Sequence, residues 1–479
     1  MIFPAGLYVL KFFLPLIVVG FGGFLLLAVG LFHRKGPAYA VITFIALALS
    51  IASILYLGGP RTVLGGAMVY NSFDSYFAAI LIISSMFVVF PALKNIRERW
   101  DVFYSLLLFV TLGMIVASYS MNLVVMFVAF EAVSIGTYIM AGFHKTKRTL
   151  EASAKYFFTG AVSTSFIVLG LSYFYQATST FDLDAVSTVS AVPMLISLAF
   201  LVIGFGFKLA IFPMHQWAID TYDGSENSVS ALLSTGSKIV AFMIMLKLFV
   251  VGFPTMGDQV FLLFTILAIF TMVYGNFAAL SEMRLKRLLA YSSVAQAGYL
   301  ILVFSAVAYG QYGNASVDYI NAAVGAGMFY SLVYIFMKGG AFLSMNSIRK
   351  ENPRIEDISG LAKQSPVLAL SLSILLLALA GIPLTGGFTA KAFLFLALIQ
   401  VKLWWVAVIA ILNSAISVFY YLRVIAYMYR KEPTEEGIFS TDGTVTAPVV
   451  FAAVITVITG VYFTLFYLVL PFAASLVGA

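Results

Sequence analysis

Apolar runs long enough to cross a bilayer recur along nearly the whole chain, separated by short clusters of Gly, Pro and charge. A hydrocarbon core about 30 Å thick takes roughly 20 helical residues. Windows of that length predict helical segments near 7–31, 38–58, 75–93, 103–119, 121–143, 153–175, 192–216, 228–252, 259–281, 287–309, 319–346, 366–400, 403–429 and 448–475. No stretch between them is long or polar enough to fold alone outside a membrane. Residues 1–479 therefore read as a single all-α, polytopic membrane domain of about fourteen transmembrane helices. The opening apolar run lacks a small-residue cleavage site and reads as the first span rather than a removed signal.

Composition agrees: 62% hydrophobic residues against 10% charged, with a mean hydropathy of +1.03, excludes a soluble domain of this length. The formal charge of +7 points to loop topology and not to nucleic acid. Lys and Arg crowd the odd-numbered loops, from Arg34 and Lys35 through Arg97, Lys145 and Arg284 to Arg430 and Lys431, whereas the even loops hold little beyond Arg61 and Lys402. That asymmetry places the odd loops on the cytoplasmic side, or its organellar equivalent, and both termini opposite. Asp220, Asp223 and Glu226 make the seventh loop an acidic exception. With no cysteine and three histidines, neither a thiolate-held metal nor an iron–sulfur cluster is expected, and the chain is read as carrying no cofactor.

Charge reappears where lipid should exclude it. Lys208, Lys238, Lys338 and Lys391 fall inside predicted spans, as does Glu131, although each such placement costs about 2.5–3.5 kcal/mol on insertion scales. Two spans are also interrupted. Pro213 removes a backbone donor after Lys208, and Gly381, Pro383, Gly386 and Gly387 break the stretch before Lys391. Paired interruptions in spans seven and twelve fit an inverted-repeat transporter, since unwound backbone is tolerated only against protein or a water cavity. The repeats are expected at 103–252 and 259–429, flanked by 1–93 and 448–479. Lys247, nine residues beyond Lys238 and so on the opposite face, reads as a snorkelling residue near a helix end.

Five segments, Lys155–Ala161, Phe207–Trp217, Ser230–Lys238, Leu285–Tyr299 and Leu379–Lys391, carry a resemblance to the antiporter-like subunits of respiratory complex I and related complexes of the Mrp antiporter superfamily. The Ser-Thr-Gly-Ser-Lys piece at 234–238 and Ala-Gly-Ile-Pro at 380–383 resemble the N type (subunit 2 in mitochondria) more than the L or M types. The N type leads one to expect no long lateral helix after the fourteenth span. The resemblance implies a proton-translocating subunit, itself without redox centres, of a translocating oxidoreductase such as NADH:quinone oxidoreductase. It implies an energy-transducing membrane, lipid and protons as partners, further antiporter-like subunits, and small K/J-type subunits.

Carried over residue by residue, Glu131 pairs with Lys208, Lys238 is the central lysine and Lys391 serves the second break. Burial lowers the proton affinity of a lysine, and a carboxylate at about 4 Å raises it by up to about 4 kcal/mol at an effective dielectric of 20. Separating Glu131 from Lys208 would then switch proton release. Lys338 matches a lysine of L- and M-type relatives that N-type relatives need not have. His215 is either a loop cap or a proton-uptake group, and Tyr291, Gln296 and Ser237 are candidate relay residues. Gln296 stands where relatives often have histidine, so a proton step there must use water. A lysine after a broken helix also suits a purely structural brace on freed carbonyls, and Ser or Thr between the charges also suits ordinary helix contacts. A different class of function, sodium–proton exchange in an Mrp-type or membrane-bound hydrogenase complex, stays open, although one intramembrane carboxylate is a poor start for a hard-cation site.

Overall fold

The computed structural model describes residues 2–33, 36–96, 98–186, 190–253, 256–313, 315–350, 352–430, 439 and 442–477. Arg34, Lys35, Arg97 and Lys431, part of the loop-charge argument, lie outside the described residues.

The helices run in order α1 (Ile2–Gly30), α2 (Ala38–Leu57), α3 (Ser72–Asn95), α4 (Trp100–Tyr119), α5 (Leu123–Ala141), α6 (Lys147–Thr178), α7 (Ala191–Leu209), α8 (Gln216–Gly224), α9 (Asn227–Ser234) and α10 (Gly236–Lys247). Then come α11 (Gly257–Ser281), α12 (Leu285–Tyr312), α13 (Val317–Ser344), α14 (Leu361–Gln364), α15 (Pro366–Ala380), α16 (Gly386–Gln400), α17 (Trp404–Met428), α18 (Gly443–Val461) and α19 (Leu470–Val477). One small antiparallel hairpin, Arg61–Val63 with Met68–Tyr70, joins α2 to α3. Thirteen helical stretches are long and apolar enough to span a membrane, and α15 with α16 forms a further, broken span. Each of the fourteen predicted segments thus has a helical counterpart.

Lipid-facing and interior helices separate by composition of their surfaces. The stretch Asn227–Gly252 is fully buried over its apolar window and Leu285–Tyr312 is 94% buried, against 33% for Lys147–Thr178. The span holding Lys238 and the helix holding Gln296 therefore form the buried centre. Loops three, five, seven, nine and eleven meet at one end, where Glu98, Lys145, Glu226, Lys286 and Lys350 line a cavity of about 920 Å³. Their convergence agrees with the even spacing of the charged loops along the chain. The acidic exception is not a loop: Asp220 and Asp223 lie on α8, where they face cations of other helices.

Both predicted interruptions are present. Residues 210–215 separate α7 from α8, with Ala210 at φ 58°, and Pro213 lies in this gap. Residues 381–385 separate α15 from α16. Gly381 there takes φ 86°, a left-handed geometry that favours glycine. Gly387 lets α16 approach the end of α15, since a Cβ on it would lie 1.8 Å from the carbonyl oxygen of Ala378. A third interruption was not foreseen. Thr235, at φ −114° and ψ −85°, divides α9 from α10 just before Lys238, and a π-helical turn at Leu248–Gly252 closes that span.

Candidate functional site

Lys208 is set by the first break. It lies in the last turn of α7, and its amine donates to Ser134 of α5 at 3.2 Å, to Thr137 at 3.4 Å and, through a very short bond, to the phenol of Tyr156 on α6. Rings of Tyr156 and Tyr138 lie 4.7 and 5.2 Å from the amine, a favourable placement for a cation. The carbonyl of Phe207, which also accepts the Ala210 N–H at the end of α7, accepts the indole N–H of Trp217 from α8 at 2.7 Å. Trp217 in turn lies flat on Tyr156, with ring centres 4.4 Å apart and planes 9° from parallel.

The expected contact between Glu131 and Lys208 is absent: among the described residues no ion pair within 4.0 Å joins them. Glu131 instead accepts from Thr164 of α6 at 2.9 Å. The lysine reaches α5 at Ser134, one turn further on, so the hydroxyls of Ser134, Thr137 and Tyr156 take the place of the carboxylate. Ser134 lies three residues beyond Glu131 on α5, roughly 4.5 Å of rise.

Lys238, wholly buried, donates to both the hydroxyl and the carbonyl oxygen of Ser293, each at 2.8 Å. The hydroxyl of Ser293 also meets Tyr334 of α13 at 2.8 Å. The adjacent Ser292 accepts Lys338 of α13 at 2.6 Å and shares a very short bond with Tyr421 of α17. Two buried lysine amines thus rest on consecutive serines of one helix. One turn further along α12, Gln296 accepts from Tyr330 and donates to the carbonyl of Leu379 at 3.0 Å. Tyr330, Tyr334 and Lys338 follow at i, i+4 and i+8, a single stripe on α13. It faces Gln296, Ser293 and Ser292 in antiparallel order.

Lys391 reaches back from α16 across the second break. Its amine donates to the carbonyls of Leu379 and Ala380 at 2.9 and 3.2 Å and to Ser414 of α17 at 2.9 Å. The carbonyls freed at the end of α15 therefore have a charged donor. Lys391 also lines a cavity of about 350 Å³ with Ser414, Phe388 and Phe395.

Among the other candidates, Ser237 is buried beside Lys238. Tyr291 sits under the guanidinium of Arg287 at 6.0 Å. His215 makes no side-chain capping bond to α8, contrary to the loop-cap reading; it is buried against Tyr274, ring centres 4.2 Å apart. The snorkelling expected of Lys247 is overturned. Its side chain has no exposure and pairs at 2.6 Å with Asp74 in the first turn of α3, equally buried. The amine also donates to the carbonyls of Ser118 and Ser120. Among the described residues no cluster of three or more His, Cys, Asp or Glu side chains is placed to hold a metal ion.

Buried amines held by hydroxyls and carbonyls beside interrupted membrane helices fit a membrane protein of the antiporter-like class. Residues 120–417 match the family described as NADH:quinone oxidoreductase/Mrp antiporter, transmembrane, and the chain belongs to it. It is 36% identical over 391 residues to the F(420)H(2) dehydrogenase subunit N of Methanosarcina mazei, covering 78% of this chain and 77% of that one. It is 33% identical to NADH-quinone oxidoreductase subunit N 1 of Solibacter usitatus, covering 88% of each. A chain of respiratory complex I from Thermus thermophilus superposes with a TM-score of 0.82 at 29% identity, covering 95% of this chain and 98% of that chain. A chain of the Mrp complex from Dietzia superposes at 0.84 with 20% identity, over 98% of this chain and 97% of that chain, a likeness of fold.

Proposed function

We propose that this chain is the N-type, proton-translocating subunit of a complex I-like electron-transfer complex. Redox chemistry in other subunits drives it, and it holds no cofactor of its own. One observation carries the reading: fully buried Lys238 and Lys338 rest on the consecutive hydroxyls of Ser293 and Ser292, with no carboxylate paired to either among the described residues. An ammonium in a dry interior gives up its proton more readily than one in water, because burial penalises the charged form. Hydroxyl and amide groups between the amines can donate and accept in turn, so they suit a relay that water completes.

In this reading a proton on Lys208 is held by three hydroxyls while Glu131 waits one turn away on Thr164. Approach of the carboxylate favours the charged amine, and withdrawal releases the proton toward Lys238. Transfer continues over Ser293 and Ser292 to Lys338, and over Gln296 to Lys391. Moving one charge against a membrane potential costs about 2.3 kcal/mol per 100 mV, within the reach of a carboxylate's approach and withdrawal. The nearest partners are further antiporter-like subunits and the small K/J-type subunits of such an assembly. The relative from Methanosarcina mazei belongs to an F(420)H(2) dehydrogenase and others to NADH-quinone oxidoreductases, so the electron donor is set outside this chain.

Sodium–proton exchange is the competing reading, supported by the fold shared with the Mrp chain. Hard cations prefer several oxygen ligands, and among the described residues Glu131 is the one carboxylate beside the lysines of the proposed relay, which favours protons. Purification and reconstitution test this: the chain should co-purify with redox subunits and move protons only during electron transfer. A lone chain that exchanges sodium for protons in liposomes would establish the competitor.

A further inference from the structure

The acidic residues of α8 are each gripped from two sides. Asp220 takes Lys155 of α6 at 3.0 Å and Arg287 of α12 at 3.2 Å. One turn on, Asp223 takes Arg148 of α6 and Arg284, at the start of α12, both at 3.3 Å. The first repeat supplies α6 and α8; the second supplies α12. Two ion pairs therefore hold the half-helix beyond the first break to α6, and two tie it to α12 of the other repeat.

Both ends of this tie lead to buried lysines. On α8, Trp217 stacks on Tyr156, the phenol that receives Lys208. On α12, Arg287 precedes Ser292 and Ser293 by less than two turns, and those serines receive Lys338 and Lys238. Surface pairs are weak singly, but a network on one rigid segment is worth more, and the Asp223 side chain is only 10% exposed. Arg287 is further shared with Glu282 at 3.2 Å, so it has an alternative partner should α8 shift.

We propose that Asp220 and Asp223 form a clamp that positions the Lys208 site against the Lys238–Lys338 site, so that a displacement of α8 in one repeat is passed to α12 in the other. These are positioning residues: none touches a relay atom, and each acts through Trp217 or through α12. The inference rests on the proton-translocation reading.

The test uses the intact complex in proteoliposomes, with proton uptake measured per electron pair and complex content measured in parallel. Asp220→Asn with Asp223→Asn should lower coupled proton uptake about fivefold, the scale of a small network, while Asp220→Glu with Asp223→Glu keeps most of it. In combination with Tyr156→Phe, which loosens the same path, the double-Asn change should add little further loss. A clamp that served stability alone would give independent, multiplicative losses. Wild-type uptake in the double-Asn complex, or losses that multiply, would overturn the proposal. Should that complex fail to assemble, Asp220→Asn alone carries the test by the same two criteria, because Asp220 is the more exposed acid at 37%. Lys238→Ala run alongside separates the claims: normal pumping in it sinks the functional reading, whereas lost pumping with an indifferent clamp sinks the clamp.

Discussion

Gln296 and Lys391 share a single acceptor: the carbonyl oxygen of Leu379 receives the amide of one at 3.0 Å and the amine of the other at 2.9 Å. That carbonyl is free because α15 stops at Ala380. The second break therefore does more than bend a helix. It supplies the atom through which α12 and α16 meet.

Replacing Gln296 by Leu leaves the phenol of Tyr330 without its acceptor. A buried polar group so orphaned costs about 1–3 kcal/mol, and transfer toward Lys391 should slow about tenfold or more on that scale. Gln296→His, which keeps a donor and an acceptor on a ring, should retain a larger share of pumping. Turnover-linked acidification of vesicles by the two variants checks the order.

The pair Asp74–Lys247 gives a stability prediction. Both side chains are fully buried and bonded at 2.6 Å, so Asp74→Asn strands an ammonium inside the protein. Breaking a buried pair from one side costs about 3–5 kcal/mol, while removing both charges is often close to neutral. Asp74→Asn should lower the thermal unfolding midpoint of the detergent-solubilised complex markedly, and adding Lys247→Met should recover more than half the loss.

Ser292 and Ser293 should not be equivalent. Ser293→Ala removes one of two bonds to Lys238 and the contact to Tyr334, yet its carbonyl still holds the amine. Ser292→Ala removes the one hydrogen bond drawn to Lys338 among the described residues. A hydrogen bond to a charged group is worth about 1.5–3 kcal/mol. Ser292→Ala is therefore expected to reduce coupled pumping more than Ser293→Ala, measured at equal complex content.

The sequence made the lysines legible because a charge in an apolar run stands out against the cost of inserting it. The breaks at Pro213 and Gly381–Gly387 were equally plain, since proline and glycine leave a local mark. The break at Thr235 left none, because Ser-Thr-Gly remains compatible with a membrane helix. Asp74 was hidden by position: in the first turn of α3 it falls at the rim of any hydropathy window. Its partner Lys247 could not be matched to it from local pattern, so it read as a snorkelling end. Likewise Asp220 and Asp223 looked like loop acids until α6 and α12 supplied their cations. Pairing across helices is a property of packing, and hydrophobic periodicity does not encode it.

The most direct test of the account is the ratio of protons moved to electrons transferred by the reconstituted complex carrying Lys238→Ala. Loss of the proton that this subunit contributes, with electron transfer still measurable in uncoupled vesicles and the complex fully assembled, is the predicted result. An unchanged ratio in that variant would contradict it.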